Sequence, residues 1–512
     1  MSAPWPSPFP VPPAPSLHAL LRQMARDRAQ ATVLRWHDPA GPARGTAWSR
    51  LTFAELDQRA DAIAHALTHR HGLRESDRVA WLGLNHPAQI ALLFALARVG
   101  AMLVPLNHRL SPAEWATVLQ DSSPQLLVHD DTLQPSARAL ASHTNTRVLS
   151  VHELPIDGES PINATGTADH PALLVYTSGT TGTPKGAVHT QAHLLANMAI
   201  AAQAQGMHAS DTVLTVLPLF HVGGLCIQTL PALAVGAQVL LHARFDPTAT
   251  LQAIGVERPT LTLQVPATLQ ALTTHPGWPG TDLSSLRAIW AGSSLLPATL
   301  IEACHARGVP VCNVYGSTET GPFSIALPAT HAASHLGSCG WPAPGVHASL
   351  RDVHEQPVAE GAVGEVWVRA PNVVRRYWPD VPACDADGFF HTGDLAQQAA
   401  DGSFTIVGRA KDMLISGGEN IYPAEIENLL AQHPWVAECA VIGQPDARWG
   451  EVVVAVVVLH AAAGTDWTDA LRNFLDGRLA RYKWPRRWHR VNALPRTALG
   501  KVQKSALPAL LP

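Results

Sequence analysis

The stretch Tyr176-Thr-Ser-Gly-Thr-Thr-Gly-Thr-Pro-Lys-Gly186 gathers hydroxyls, glycines and a lysine in a form that can meet a phosphate. Thr177, Ser178, Gly179, Thr180, Thr181, Gly182 and Thr183 offer backbone N–H groups and hydroxyls, and Lys185 adds a compact positive charge. It is not a Walker A loop, because Pro184 precedes the lysine and Gly186 follows it. Glu319 is the only acid in the 313–320 stretch, with Thr318 before it. Beside a polyphosphate, one such carboxylate is a natural Mg2+ ligand. Tyr315 has a face on which a base can stack, Asp394 can accept hydrogen bonds from ribose hydroxyls, and Arg409 can pair with a phosphate. Each group also has an ordinary reading: a surface loop, a solvated turn acid, a core tyrosine, an Asp-Gly-type turn, a local ion pair. His221, ahead of Gly223-Gly224, reads first as a structural histidine, and Lys501, after Gly500, as a surface lysine. What points to a site is their joint order.

The elements that must position these groups alternate along the chain. An apolar run at 172–175 reads as a buried strand and 191–205 as a helix, which makes the first stretch a strand–loop–helix, the arrangement that presents N–H groups to an anion. Thr52 and Glu55 form a capping box for a helix at 53–69, with Leu56, Ala60, Ile63, Ala64 and Leu67 on its apolar face. Strand-like 78–84, helical 88–98, strand-like 101–106, a helix behind Ser111-Pro112 and strand-like 125–129 follow. Residues 129–170 lack periodicity and read as connecting structure. Strand-like 212–217, 286–290 and 309–314 each run into a polar loop, and in open α/β sheets ligands bind outside the carboxyl ends of strands. The expected fold is α/β: a large N-terminal domain of parallel-type sheets with helices, plus a small mobile α+β C-terminal domain. The expected boundaries are a Pro-rich tail at 1–16, disordered or polyproline-II, an N-terminal domain at 17–408 and a C-terminal domain at 409–512.

Composition bounds the class. A chain of 512 residues exceeds one compact core, and a hydrophobic fraction of 46% can fill more than one. A net charge of −4 provides no basic field for nucleic acid. The 6 cysteines form no C-x-x-C pair, which fits a reducing compartment better than a metal site or disulfide framework. The apolar run 91–104 is broken by Arg98, and the N-terminus lacks the apolar core of a signal peptide. The chain reads as cytoplasmic, with no transmembrane segment.

Read together, the segments YTSGTTGTPKG (176–186), LPLFHVGG (217–224), NVYGSTET (313–320), FHTGD (390–394), GRAKDMLISGGENIYPAEIE (408–427) and LPRTALGKVQK (494–504) resemble the adenylate-forming, AMP-binding superfamily. That superfamily includes acyl-CoA synthetases, peptide-synthetase adenylation domains and beetle luciferases. The resemblance implies that Thr177 to Lys185 holds the β- and γ-phosphates of ATP. Ala291, Gly292, Ser293, Tyr315 and Gly316 would flank adenine, Glu319 would bind Mg2+, and Thr318 would lie beside the phosphates. Asp394 and Arg409 would hold the ribose, Arg409 reaching toward the phosphate as well. Lys501 would bridge the substrate carboxylate and the α-phosphate, with His221 also in the catalytic set. Lys411 falls at the hinge about which the C-terminal domain would turn, and the loop with Gly417, Gly418 and Asn420 would line the approach of coenzyme A.

The implied reaction is an ATP-dependent carboxylate–CoA ligation through an acyl adenylate, releasing pyrophosphate and AMP. Amino-acid-activating members carry an Asp where this chain has His221, which disfavours an amino-acid substrate. The mainly apolar stretch 224–245, and the absence of Arg or Lys between Lys185 and Arg244, suggest a hydrophobic acid, fatty or aryl/hydroxycinnamic. Arg481, Lys483, Arg486 and Arg487 are candidate phosphate partners for CoA. The alternatives are a stand-alone enzyme loading a carrier protein and a catalytically inactive nucleotide-binding regulator. The expected partners are a small carboxylic acid and CoA, with a homodimer left open.

Overall fold

The structure is a computed structural model that describes residues 5–6, 11–37, 48–144, 146–157, 162–177, 184–292, 296–416, 419–446, 448–497 and 501–511. An 8-stranded sheet takes the early strands. Within it Arg147–Ser150, Leu126–His129, Arg78–Leu82, Met102–Pro105 and Pro171–Thr177 lie side by side and parallel. A 9-stranded sheet sets Gln238–Leu241, Thr212–Thr215, Leu261–Gln264, Ala288–Gly292 and Val311–Tyr315 in the same parallel manner. Parallel strands are covered on both faces and so read as unbroken apolar runs. Every residue of Met102–Pro105, Leu126–His129 and Ala288–Gly292 is buried. A 4-stranded antiparallel sheet follows, from His347–Arg351 to Phe404–Arg409. The last unit is a 5-stranded sheet with helices Pro423–Leu430 and Trp467–Leu475 and its own core around Ile426, Val441, Val453 and Leu471. The architecture is α/β with a smaller α+β unit at the C-terminus.

Helix Pro87–Val99 is buried all round, and its one charge, Arg98, is fully enclosed. A buried guanidinium persists only if it is paired. Arg98 pairs with Asp57 and, at 3.2 Å, with Asp61, while Arg22 meets the same carboxylates at 2.8 and 2.7 Å. This network ties helices Leu17–Asp27, Phe53–His69 and Pro87–Val99 together. Asp57→Ala removes one of the two carboxylates that Arg98 and Arg22 share and is expected to cost about 3 kcal/mol, because two guanidiniums, one of them fully buried, are left on Asp61 alone. Chemical denaturation checks it; a loss under about 1 kcal/mol would mean that water reaches Arg98 in the variant.

The fold departs from the sequence reading in three places. The Gly/Thr-rich stretch joins two antiparallel strands, Pro171–Thr177 and Lys185–Thr190, with Thr177 opposite Lys185. Residues 178–183 lie outside the described ones, but what they connect is a pair of strands, and helix Gln191–Gln205 begins only beyond the second strand, capped by Thr190. The short strand was hidden because its apolar residues, Ala187 and Val188, run directly into an Ala/Leu-rich helix. The stretch 129–170 is also more than a connection. It holds helix Gln134–Thr144 and edge strand Arg147–Ser150, elements too short to show a period. Finally, the described part of the Pro-rich tail packs. The Trp5 Nε1–H donates to the Pro342 carbonyl at 3.0 Å, and Val11 and Ala14 join Trp5 against the large core. One indole supplies enough apolar area to anchor such a segment.

Candidate active site

Two clusters form around carboxylates, one in the loop after a strand end and one within a strand. Val311–Tyr315 delivers its chain into the loop carrying Thr318 and Glu319. That loop is held from below: the buried Asn372 amide donates to the Thr320 and Phe323 carbonyls at 3.1 and 3.2 Å, and Val374 N–H donates to the Glu319 carbonyl at 2.9 Å. The Glu319 Oε1 accepts from the Tyr377 hydroxyl at 3.1 Å and from Thr177 Oγ1 at 3.4 Å. Lys185 Nζ stands 5.4 Å over the Tyr377 ring. Burial first, then the Glu319 charge, pushes the Tyr377 hydroxyl up, so it stays a donor. The two ends of the Gly/Thr-rich hairpin and the 316–320 loop therefore converge on one half-buried acid. Among the described residues no group of three or more His, Cys, Asp or Glu could hold a metal. A lone carboxylate suits Mg2+, which keeps its other positions for water and phosphate oxygens.

The second cluster centres on Asp394, buried at 8% exposure on strand Phe390–Gln398. Its Oδ2 accepts from the Tyr315 hydroxyl at 2.8 Å, and its Oδ1 pairs with Arg409 Nε at 2.6 Å. Burial pushes the carboxyl up, while Arg409, Tyr315 and Lys501 pull it back. Asp394 and Arg409 are partners across the ladder to Phe404–Arg409, so this acid belongs to a strand and not to a turn. Ala291 and Gly292 end strand Ala288–Gly292 beside Tyr315's strand, and a Cβ on Gly292 would meet the Val314 carbonyl at 2.5 Å. Gly316 is demanded by packing as well, since a Cβ there would lie 1.7 Å from the Pro322 carbonyl.

His221 and Lys501 complete the centre. The His221 Nδ1 accepts from Gly223 N–H at 3.0 Å, which leaves the proton on Nε2. Burial and then the Lys501 charge lower its pKa to about 4, so the ring is neutral at ordinary pH. Lys501 keeps solvent contact yet is crowded by protein: desolvation and then Arg409 lower its pKa, against Asp394 and Glu319. It stands on a tight hairpin whose arms pair Arg496 with Val502, with Thr497 N–H donating to the Lys501 carbonyl at 2.8 Å. The lysine is thus within electrostatic reach of both carboxylates and of His221, although it belongs to the C-terminal unit.

Of the residues singled out from sequence, Thr177, Lys185 and Glu319 gather around Tyr377, Tyr315 and Arg409 meet on Asp394, and Lys501 acts on Asp394, Glu319 and His221 through its charge. Ser178 to Thr183, Ser293, Gly417 and Gly418 lie outside the described residues. Lys411 sits exposed in the single turn Ala410–Asp412, and Asn420 exposed on strand Glu419–Ile421. The basic cluster is engaged with protein: Lys483 pairs with Glu425 at 2.7 Å, Arg481 with Asp476 at 3.4 Å and Arg487 with Asp446 at 3.5 Å, while Arg486 lies 4.1 Å over Trp449. Tyr377 and Asn372 were missed, and no local signal marks them, because their roles are contacts with the 316–320 loop.

The family model of the AMP-binding enzyme matches residues 21–378, and that of the AMP-binding enzyme C-terminal domain matches 425–501. The chain is 44% identical to an indoleacetate–CoA ligase of Aromatoleum aromaticum, over 90% of this chain and 93% of the relative. It is 42% identical to a feruloyl-CoA synthase of an Amycolatopsis species, over 89% and 92%. A solved o-succinylbenzoate CoA synthetase of Bacillus subtilis, in complex with its acyl-adenylate intermediate, superposes with a TM-score of 0.84 at 31% identity, covering 95% and 97% of the two chains. The same synthetase is also known with ATP and a magnesium ion. The chain belongs to the AMP-binding enzyme family, as one of its acid–thiol ligases.

Proposed function

We propose that the chain activates a hydrophobic carboxylic acid, aryl or fatty, as an acyl adenylate and transfers it to CoA. The observation that carries this reading is the convergence of Thr177 and Tyr377 on Glu319, at 3.4 and 3.1 Å, with Lys185 Nζ 5.4 Å over the Tyr377 ring, where a polyphosphate and its metal ion would sit. A carboxylate is a weak nucleophile and is repelled by a polyphosphate. Lys501 neutralises the substrate carboxylate and the charge that develops at the α-phosphorus, and Lys185 neutralises the departing pyrophosphate. Asp394 is the ribose acceptor, oriented by Tyr315 and Arg409. Glu319 would hold Mg2+, which supplies charge neutralisation at the phosphates when bound. Bond formation between the carboxylate oxygen and the α-phosphorus expels pyrophosphate. The thiol sulfur of CoA then attacks the acyl carbon, and AMP leaves with the bond's electron pair.

An aryl or fatty acid is favoured over an amino acid because the position after Phe220 is the neutral His221, which has no charge to pair with an α-ammonium. The segment around it is apolar: Leu217, Leu219, Val222 and Leu225 are all buried. Pyrophosphate exchange with a panel of aryl, hydroxycinnamic, fatty and amino acids tests the reading. Exchange is expected with the first three classes and not with amino acids; exchange with no acid at all would defeat it. AMP release that depends on CoA, compared with a phosphopantetheinylated carrier protein, identifies the acceptor.

A further inference from the structure

We infer that Asn197 is a positioning residue of the ligase: through Asn372 it ties the 316–320 loop, which carries Glu319, to the turn behind His221. This rests on the ligase reading above and adds to it a residue that touches no reacting group. Three segments that carry site residues meet at this pair of amides. Asn197 stands on helix Gln191–Gln205, which continues directly from Lys185's strand, Lys185–Thr190. Asn372 lies between strand Val363–Arg369 and Tyr377's strand, Arg376–Tyr377. The third partner, Cys226, belongs to the π-helical turn Leu225–Thr229, whose first N–H donates to the His221 carbonyl at 3.1 Å. Both amide side chains are buried.

The orientation of each amide follows from the carbonyls around it, which can only accept. The Thr320 and Phe323 carbonyls face the Asn372 nitrogen at 3.1 and 3.2 Å, so that end is the NH2 group. The Cys226 carbonyl lies 2.7 Å from the Asn197 nitrogen, which turns the Asn197 oxygen toward Asn372. Asn372 Nδ2 donates to that oxygen at 3.3 Å and closes the chain. The Asn372 Oδ1 is buried with no hydrogen-bond partner among the described residues. Hydrogen bonds at its nitrogen therefore set the plane of this amide, and Asn197 supplies the one that comes from outside the 320–323 stretch. The loop rests on that plane. A Cβ on Gly321 would lie 2.5 Å from Asn372 Nδ2, and two residues on Val374 N–H donates to the Glu319 carbonyl at 2.9 Å. Without Asn197 the Cys226 carbonyl loses this donor and Asn372 is held from the loop side alone. A buried polar chain rigidifies what it joins, because a missing member leaves desolvated groups unpaired. Side chains that must meet a ligand in one geometry depend on such support.

The test reads how far Mg2+ tightens ATP, by titration calorimetry of the full chain with ATP in Mg2+ and in EDTA. Glu319 is the carboxylate through which the metal would act, so the ratio of the two dissociation constants reports its placement. In Asn197→Ala that ratio is expected to fall about fivefold or more, the low end of a coupling between separated groups, with ATP in EDTA within about twofold of wild type. Asn372→Ala should lose at least as much, and the double variant no more than Asn372→Ala, since both break one chain. A purely structural role would lower the melting temperature and leave the ratio as in wild type. That result overturns the inference, as do a wild-type ratio of one, an equal loss in both media, and additive losses in the double variant. If Asn197→Ala does not fold, hydrogen exchange in the wild type decides. ATP with Mg2+ should then slow exchange at 222–230 as well as at 316–324, and protection confined to 316–324 overturns the inference. If the wild type binds no ATP in either medium, the ligase reading itself has failed and this inference falls with it.

Discussion

Lys501→Ala is expected to lower acyl-adenylate formation by about 10²- to 10³-fold or more, the effect of removing one preorganised charge from a developing oxyanion. Thioester formation from supplied acyl adenylate and CoA should stay within a few-fold of wild type. The asymmetry follows from what each step needs. Adenylation brings a carboxylate against a polyphosphate, and Lys501 is the cation that reaches toward Glu319 and Asp394 from the C-terminal unit. Thiol attack on a mixed anhydride needs no such cation at the α-phosphate, because AMP is already a competent leaving group. The pH profile provides a second signature. Desolvation and Arg409 hold Lys501 below the ordinary lysine range, so the active cationic form is present at low pH and is lost as pH rises through that lowered value. Adenylation should therefore fail earlier on the alkaline side than an ordinary lysine would allow. Lys501→Arg, whose charge does not titrate there, should remove that limb even if its rate is lower. Equal loss of both half-reactions in Lys501→Ala would refute the role.

How much of this was legible in the sequence depends on how local each determinant is. The helix Phe53–His69 was readable because its capping box and apolar face lie within its own residues, and both capping bonds form. The parallel strands were readable as apolar runs, and the placement of Ala291, Gly292 and Tyr315 at strand ends followed from them. What local pattern could not reveal is pairing. Thr177 opposite Lys185 makes the phosphate-type loop a hairpin, and that is a fact about a neighbouring strand. Asp394 opposite Arg409 makes a turn-like acid a buried ladder residue, and it too depends on a partner chain segment. Tyr377 touches Glu319 from a two-residue strand whose sequence, Arg376–Tyr377, carries no period at all. A candidate residue was visible where a motif spelled it out, and its partner was invisible where a contact between distant segments created the pairing. The fully buried Arg98 makes the same point in reverse. It breaks an apolar run that is the core helix Pro87–Val99, yet its partners Asp57 and Asp61 lie on another helix, buried against expectation for acids.

Lys411→Pro is expected to do the opposite of Lys501→Ala: adenylation within a few-fold of wild type, and thioester formation down on the order of 10²-fold, as when reacting groups cannot reach their attack geometry. The residue lies in the turn Ala410–Asp412, between strand Phe404–Arg409 of the 4-stranded sheet and strand Leu414–Ser416 of the C-terminal sheet. That turn is closed by Met413 N–H to the Arg409 carbonyl at 3.1 Å and is short enough that a change at one φ/ψ pair redirects everything after it. In the present arrangement Lys501 is swung against the site. A 3-10 turn uses φ near that of proline, so the substitution suits this arrangement and holds it. If the C-terminal unit must turn away to admit the thiol, a fixed φ at 411 removes the freedom to do so, and the adenylate forms but is not consumed. Lys411→Ala is the control, since it deletes the charge and leaves the backbone free, and it should pass both steps. Burst-phase pyrophosphate release with little thioester in Lys411→Pro is the expected signature. Normal overall turnover in that variant would take the hinge away from Lys411 and leave Lys501's withdrawal, if it occurs, to another joint.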